Sequence, residues 1–413
     1  MTLLGAALLL LLALTALVIR NDVFFPGFIQ PVLWSVILLI YDWNPLGLYE
    51  LTAQTVAVFC FSSAIFVICA IGSAGPFRHP LYLSGSISAS STTRVLIRVV
   101  ALLAIAMLPF AVSHSLEIAA PGPFDNFLTN LRWARTVDNQ PHKYFTDYIF
   151  PLILVAMFSV IVFWKNFCVI DKIAIFIPGI VYVVLTSGRS FIFLMVIPIS
   201  ILLALKHRSR LGWIILGALC VLLLSYFLPA LLMGKVVDDP GAGVLLWPSF
   251  AAYLLPSLAA FQELLSQFTD WLNGALTFRT VFAVLSAVGF SVEVERLVME
   301  YVEVPVPTNV YTWIAPYYMD FGLMGIVFFS ALVGCLSGVI YRFSQGGRPV
   351  ATIAYAISCY PLFMQFFQEQ YLTLLSQWMQ FSFYLLILWF TQEIVPRLEM
   401  PGHLSLTSNA GSN

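Results

Sequence analysis

The stretch that decides the fold is residues 169–205, VIDKIAIFIPGIVYVVLTSGRSFIFLMVIPISILLAL. It contains two apolar runs, 169–186 and 190–205, each close to the length that crosses the hydrocarbon core of a bilayer. Only a few residues of the TSGRS sequence separate them. Because a spanning segment must satisfy its backbone hydrogen bonds internally, the spacing predicts a tight hairpin of two membrane-spanning helices.

The same pattern recurs along the whole chain. Of 413 residues, 61% are hydrophobic and 9% are charged, whereas soluble domains carry about 25% charged residues. Apolar runs of near-span length occur at 2–19, 24–41, 51–72, 95–113, 147–164, 169–186, 190–205, 211–233, 312–341, 350–368 and 373–395. We therefore expect an all-α polytopic membrane protein with about eleven transmembrane helices. They would form a single domain over residues 1–400, followed by a disordered cytoplasmic tail at 401–413.

The distribution of positive charge predicts the orientation. With the N-terminus outside, the inner connections hold 12 of the 19 Lys and Arg residues. The positive-inside rule then places the C-terminus in the cytoplasm and two loops, 114–147 and 234–311, on the outer face. The net charge of −1 gives no electrostatic reason to expect nucleic acid as a partner.

The large outer loop combines apolar and polar segments. Leu254, Leu258, Phe261, Leu265, Phe268 and Leu272 recur every three or four residues with polar residues between them. This spacing predicts an amphipathic helix, with Pro256 in its first turn, that packs over the bundle or lies in the membrane interface. Residues 281–290 predict a re-entrant or buried segment, and residues 293–303 a second, acidic surface helix.

Arginines near the membrane are the first candidates for function. Arg189 lies in the TSGRS tip and Arg279 in the TFRT sequence of the large loop. An arginine so close to hydrocarbon is costly unless it pairs or snorkels, so each is either a functional group or an interfacial anchor. Arg132 and Arg135 are spaced i, i+3 and share one face if their segment is helical. The planar guanidinium group suits phosphate recognition.

The second candidate is the string PTNVYTWIAPYYMDFG, residues 307–322. Thr308 and Asn309 fit helix N-caps, and the aromatic residues fit an interfacial belt. The same amide, hydroxyl, carboxylate and aromatic groups also fit a sugar site, and both interpretations stay open at this point. No nucleotide-binding motif and no metal-ligand spacing is present in the sequence.

Together these features resemble the Wzy-type O-antigen or oligosaccharide repeat-unit polymerases. The resemblance rests on the general layout, on Gly188–Arg189–Ser190, on Arg279, and on residues 308–325, which read TNVYT and then PYYxDFGxxG. It implies a GT-C-like glycosyltransferase of the bacterial inner membrane, with undecaprenyl-diphosphate-linked oligosaccharide as substrate. It also implies a reaction without metal or cofactor, and a chain-length regulator as a further partner.

The resemblance also suggests roles for individual residues. Arg189 and Arg279 would stabilise charge on the departing diphosphate, supported by Arg132 and Arg135. Asp320 is the first choice for the proton acceptor, ahead of Glu369, Glu263 and His142. The expected substrate contacts are Thr308, Asn309, Tyr311, Tyr317, Tyr318 and Glu369. The rival interpretations are an O-antigen ligase and a non-enzymatic flippase; a transporter would be expected to carry charges at mid-span, which this chain almost lacks.

Overall fold

The computed structural model describes residues 1–44, 46–76, 80–83, 87–136, 146–232, 251–268, 271–296 and 299–398. These residues are mainly helical. The helices are α1 Thr2–Arg20, α2 Pro26–Trp43, α3 Ala53–Ser73, α4 Ser91–Ala119, α5 Phe127–Thr136, α6 Thr146–Val162, α7 Val169–Leu185, α8 Arg189–Lys206, α9 Leu211–Leu232, α10 Pro256–Gln267, α11 Arg279–Ala287, α12 Ala315–Ser344, α13 Pro349–Phe363 and α14 Leu375–Trp389. A π-helical turn, Phe390–Ile394, and α15, Val395–Leu398, follow α14.

Every predicted span coincides with a helix. Among the residues that the structure describes, six helices are long and apolar enough to cross a membrane by length and composition: α1, α2, α3, α4, α8 and α12. The chain is therefore an integral membrane protein, as its composition predicts. The count of eleven transmembrane helices and the GT-C-like architecture stay predictions.

The chain divides into two compact units. The first contains Met1–Tyr82 and Val196–Trp378, and the second Leu83–Met195 and Met379–Asn413. A single domain over 1–400 therefore stays a prediction, and the predicted tail at 401–413 lies outside the described residues.

A buried carboxylate ties together several elements of the first unit. The side chain of Asp22, between α1 and α2, accepts hydrogen bonds from the Tyr341 hydroxyl on α12 at 2.7 Å and from Arg208 at 3.1 Å. It also accepts from the backbone N–H groups of Leu81 at 2.7 Å and Phe24 at 3.2 Å. A buried charge persists only when it is paired and hydrogen-bonded, and Asp22 meets both conditions.

The second unit contains the predicted hairpin tip. Helix α7 ends at Leu185, and α8 begins at Arg189 after only three residues. Ser187 in that turn has a left-handed backbone with φ 52°. A short turn between two helices at TSGRS is therefore present as predicted, and the packing of the two helices as a hairpin stays a prediction.

The amphipathic helix of the large loop is also confirmed as α10, with Pro256 in its first turn. Its Leu258 and Phe261 side chains are buried. The Gln262 side chain fastens it to α3, because its Oε1 accepts from the Thr52 backbone N–H at 2.7 Å and from the Thr55 hydroxyl at 3.2 Å. These contacts favour the packing role over a lipid-binding role for this helix.

One other loop prediction was wrong, and another lost one of its two alternatives. The predicted acidic helix is not a helix in its described residues, and its end forms β1, Val302–Val304, which pairs antiparallel with β2, Val306–Thr308. Valines alternate there with Glu303, Pro305 and Pro307, which is a period-two pattern, and two prolines spaced i, i+2 each remove a helical hydrogen bond and disfavour a helix. Residues 281–290 are largely covered by α11, which contains no buried residue, so the buried alternative is wrong.

Candidate functional site

A break in α12 positions the site. Gly322 has φ 64° and ψ −154°, which lies outside the helical range and is accessible essentially to glycine alone. The Trp271 ring lies against the open side of Gly322. The DFG sequence therefore marks a change of direction near the start of this membrane helix.

Asp320 fastens the large loop to α12 just before that break. Its carboxylate is 1% exposed and accepts hydrogen bonds from the backbone N–H groups of Thr277 at 2.6 Å and Leu276 at 3.3 Å. The N–H of Leu272 donates to the Met319 carbonyl at 3.0 Å. Asp320 thereby fixes the turn that ends immediately before Arg279.

Arg279 is the first residue of α11 and is half-buried. Its Nε donates to the backbone carbonyl of Glu295 at 2.8 Å. That bond holds the extended segment that carries the next residue, Arg296. This hydrogen bond brings Arg279 and Arg296, which are separated in sequence, to the same cleft.

Both arginines line one narrow cleft in the first unit, which is partly open to solvent and has a cavity volume of about 20 Å³. Its lining residues are Leu276, Arg279, Arg296, Met299, Asn309, Tyr311, Pro316, Gln368, Glu369 and Thr373. Among the described residues, neither arginine forms an ion pair. Two guanidinium groups beside amide and phenol groups suit an anionic ligand that also carries hydroxyls.

Glu369 is the buried carboxylate of this cleft, 1% exposed. It accepts from the Tyr317 hydroxyl at 2.8 Å and from the backbone N–H groups of Tyr371 at 2.6 Å and Thr373 at 2.7 Å. The N–H of Leu372 approaches both carboxylate oxygens, at 2.9 and 3.1 Å. Because both oxygens are already engaged as acceptors, Glu369 is suited to orienting the turn and balancing the positive charge of the cleft.

A buried polar network continues from Glu369 into the first unit. The Tyr371 hydroxyl accepts from the Gln365 amide at 3.3 Å, and the Trp34 indole N–H on α2 donates to the other end of that amide at 3.0 Å. Burial raises the pKa of Tyr371, so this phenol stays neutral. The network fixes the turn that presents Glu369 to the cleft.

Some of the remaining predicted residues of the string 307–322 line the cleft, and others pack behind it. Asn309 and Tyr311 line the cleft. Burial is the larger cause that raises the pKa of Tyr311, and the negative charge of nearby Glu300 is the smaller one. Thr308 is buried, with its hydroxyl accepting from the Val310 N–H at 3.2 Å. Tyr318 is buried against the Trp271 ring, with centroids 5.6 Å apart.

The comparisons with known proteins fall on the same region. The family model described as "Putative O-antigen polymerase" matches residues 256–360. Seven of the ten cleft residues, from Leu276 to Pro316, lie within that segment. This chain is related by sequence to the O-antigen polymerases. The resemblance predicted from the sequence is thereby confirmed.

Two curated relatives illustrate the similarity. A protein named "Putative O-antigen polymerase" from Escherichia coli (strain K12) is 28% identical over 254 residues, which cover 59% of this chain and 60% of the relative. One named "O-antigen polymerase" from Shigella dysenteriae is 29% identical over 166 residues, covering 39% of this chain and 41% of the relative. The matches thus span less than two thirds of either relative. No solved structure matches this chain.

The other predicted arginines belong to the second unit of this chain. Arg132 and Arg135 lie on α5, so the helical segment assumed for their i, i+3 spacing is present. Arg189 is the first residue of α8 and is half-buried. The described cleft is formed without these three residues, and their functional roles stay predictions.

The alternative proton acceptors are also placed differently from one another. Glu263 lies on α10, and its carboxylate accepts from the Gln267 amide. His142 lies outside the described residues. Among the residues that the structure describes, no cluster of three His, Cys, Asp or Glu side chains is placed to hold a metal ion.

Arg296 is not among the site residues predicted from the sequence. Its only signal was that it is a single basic residue in the acidic stretch SVEVERLVME, residues 291–300. That signal does not distinguish a solvated arginine from one that binds substrate. The contact that places Arg296 in the cleft, the hydrogen bond from Arg279 to the Glu295 carbonyl, leaves no local pattern in the sequence.

Proposed function

We propose that this protein polymerises undecaprenyl-diphosphate-linked O-antigen repeat units at the periplasmic face of the bacterial inner membrane. The growing chain is transferred from its lipid carrier to a hydroxyl of a new lipid-linked unit. The observation that carries the proposal is the cleft in which Arg279 and Arg296 meet beside buried Glu369, mostly within the segment that matches the family model.

The two arginines supply what this transfer needs most. A new bond forms between the acceptor oxygen and the anomeric carbon while the bond from that carbon to the diphosphate oxygen breaks. The diphosphate keeps the electron pair, so negative charge grows on it in the transition state, and the proton of the acceptor hydroxyl passes to the departing diphosphate or to water. Arg279, held by its bond to the Glu295 carbonyl, and Arg296 beside it would stabilise that charge without reorganising.

The sugar would be held by the uncharged groups of the cleft. Asn309 and Gln368 offer amides that both donate and accept, and Tyr311 offers a phenol and an aromatic face. A buried hydrogen-bonding site of this kind discriminates strongly against substrates that lack the matching hydroxyl.

We assign Asp320 and Glu369 to positioning rather than to proton transfer. Both carboxylates already accept hydrogen bonds from two or more backbone N–H groups. Asp320 holds the turn before Arg279, and Glu369 holds the turn that faces it.

The wider features of the proposal come from the sequence and the family resemblance. They are a GT-C-like, metal-independent enzyme with its N-terminus in the periplasm and its C-terminus in the cytoplasm. Arg189, Arg132 and Arg135 are further anion ligands, and a chain-length regulator is a partner in the membrane.

The test is reconstitution of the purified protein in proteoliposomes with lipid-linked repeat units as the only substrate. Longer lipid-linked products on a gel support a polymerase. Movement of the unit across the bilayer without elongation overturns the proposal in favour of a transporter. A ligase would need a different acceptor and would leave these units unextended.

Site variants in the same assay test the cleft. Removing one preorganised donor of this kind typically costs about 10²–10³ in kcat, so Arg279→Ala and Arg296→Ala should each fall into that range. Arg279→Lys keeps the charge but loses the planar fork, and should also be impaired. The matched control is Arg348→Ala. Arg348 is an exposed arginine at the start of α13, and the cleft residue Gln368 follows the opposite end of that helix. Unchanged elongation in both alanine variants would refute the site.

A further inference from the structure

Helix α11, which begins with Arg279, presents an unusual surface. It has nine residues, none of them buried, and it is far too short to span a bilayer. Val281, Val284 and Val288 are 43%, 58% and 67% exposed. On a helix of 3.6 residues per turn these valines share one face, and Ser286 lies roughly on the opposite face. An exposed apolar face of this kind on a short loop helix is a candidate contact surface.

The end of the helix extends that face. Gly289 has φ 98°. Its N–H donates to the Ser286 carbonyl at 3.1 Å, and the N–H of Phe290 donates to the Leu285 carbonyl at 3.0 Å. This is the Schellman pattern of helix termination. It turns the chain immediately after Val288 and leaves the Phe290 ring 61% exposed.

Two observations favour a lipid surface as the partner. The chain is an integral membrane protein, so a bilayer lies beside its membrane helices, and exposed Trp271 and Tyr301 lie in the segments on either side of α11. Trp and Tyr concentrate where a membrane meets water. Second, a face of three valines and one phenylalanine exposes far less than the roughly 800 Å² per partner that a stable protein interface buries.

We propose that α11 lies in the membrane interface, with Val281, Val284 and Val288 inserted among lipid tails. The position of this interfacial helix would then set how deep in the membrane its first residue, Arg279, lies. A lipid-linked diphosphate lies at that depth, because its tail stays in the hydrocarbon and its charge stays at the headgroups. This consequence for substrate binding rests on the proposed function, whereas the membrane contact itself does not.

Site-specific photocrosslinking tests the contact directly. Benzoylphenylalanine is placed singly at Val284, Val288, Ser286 or Ile68 in the full chain, reconstituted in nanodiscs of phosphatidylethanolamine and phosphatidylglycerol. Ile68, 66% exposed on membrane helix α3, is the positive control, and Ser286 is the matched control on the other face of α11. After illumination, mass spectrometry measures the fraction of protein that carries a phospholipid.

We expect positions 284 and 288 to carry phospholipid at a level close to that of position 68 and several-fold above position 286. A crosslink to a second copy of the chain, or no lipid adduct at 284 and 288 while Ile68 is labelled, would overturn the proposal. This readout does not require turnover, so it stands even if the protein does not elongate lipid-linked units.

A second measurement tests the role of depth. Val284→Asp with Val288→Asp places two charges on the inserted face, and Ser286→Asp places one on the opposite face. If wild type elongates lipid-linked units, the double variant should lose most of that activity and Ser286→Asp should keep it. Full activity in the double variant, at wild-type levels of folded protein, would refute the role of α11 in positioning Arg279.

Discussion

Replacing Asp320 separates a positioning carboxylate from a catalytic base. In Asp320→Ala, the backbone N–H groups of Leu276 and Thr277 lose their acceptor in a buried site. Each unsatisfied buried donor costs about 1–3 kcal/mol, so we expect a loss of about 2–6 kcal/mol, concentrated in the turn before Arg279. Asp320→Asn keeps one carbonyl oxygen and should lose about half of that amount.

Two measurements on the same samples decide the role. Hydrogen exchange reports the protection of the amides of residues 276 and 277, and elongation of lipid-linked units reports activity. The positioning role predicts that protection and activity fall together, with Asn between wild type and Ala. Asp125→Ala, at an exposed carboxylate, should change neither. If Asp320→Asn kept full amide protection and lost all activity, Asp320 would instead be the proton acceptor.

Three further substitutions test the surrounding structure. Glu369→Gln presents an amide N–H₂ to backbone N–H donors, so a loss of about 1–3 kcal/mol and weaker elongation are expected; an unchanged melting temperature would contradict this. Gly322→Ala forces a side chain to adopt φ 64° with its Cβ 3.0 Å from the Trp271 ring, and should lower stability by about 1–3 kcal/mol in thermal unfolding. Asp22→Asn removes the charge that pairs with Arg208. A hydrogen bond to a charged group contributes about 1.5–3 kcal/mol, so a loss of that size is expected, and wild-type stability would speak against that network.

The helices could be predicted from the sequence because the signal for each is local. A run of about twenty apolar residues specifies a helix in a bilayer whatever lies around it. The amphipathic α10 was predictable for the same reason, since its spacing is contained in the helix itself. The failed acidic helix shows the limit: composition suggested a solvated helix, while Pro305, Pro307 and the alternating valines specified a hairpin.

The candidate site depends on long-range contacts, and the sequence reveals these less well. Arg279 was found because it stands in a recognisable sequence, but its bond to the Glu295 carbonyl, which brings in Arg296, has no local pattern. The case of Asp320 is similar: its conspicuous place in DFG suggested chemistry, whereas its oxygens are occupied by N–H groups from 43 and 44 residues earlier.

The two buried carboxylates bear on what kind of catalyst the cleft is. A base that removes a hydroxyl proton needs a lone pair that the hydroxyl can reach. Glu369 already accepts from Tyr317 and from three backbone N–H groups, and Asp320 is 1% exposed and faces two backbone N–H groups. The cleft instead concentrates positive charge where a diphosphate would leave. A diphosphate is a far better leaving group than an alkoxide, so the bond to it can break ahead of attack by the acceptor hydroxyl. The hydroxyl then loses its proton late, when it has become strongly acidic, and a weak acceptor suffices. In such a reaction the barrier is governed by stabilisation of the leaving group, which is the role we propose for Arg279 and Arg296.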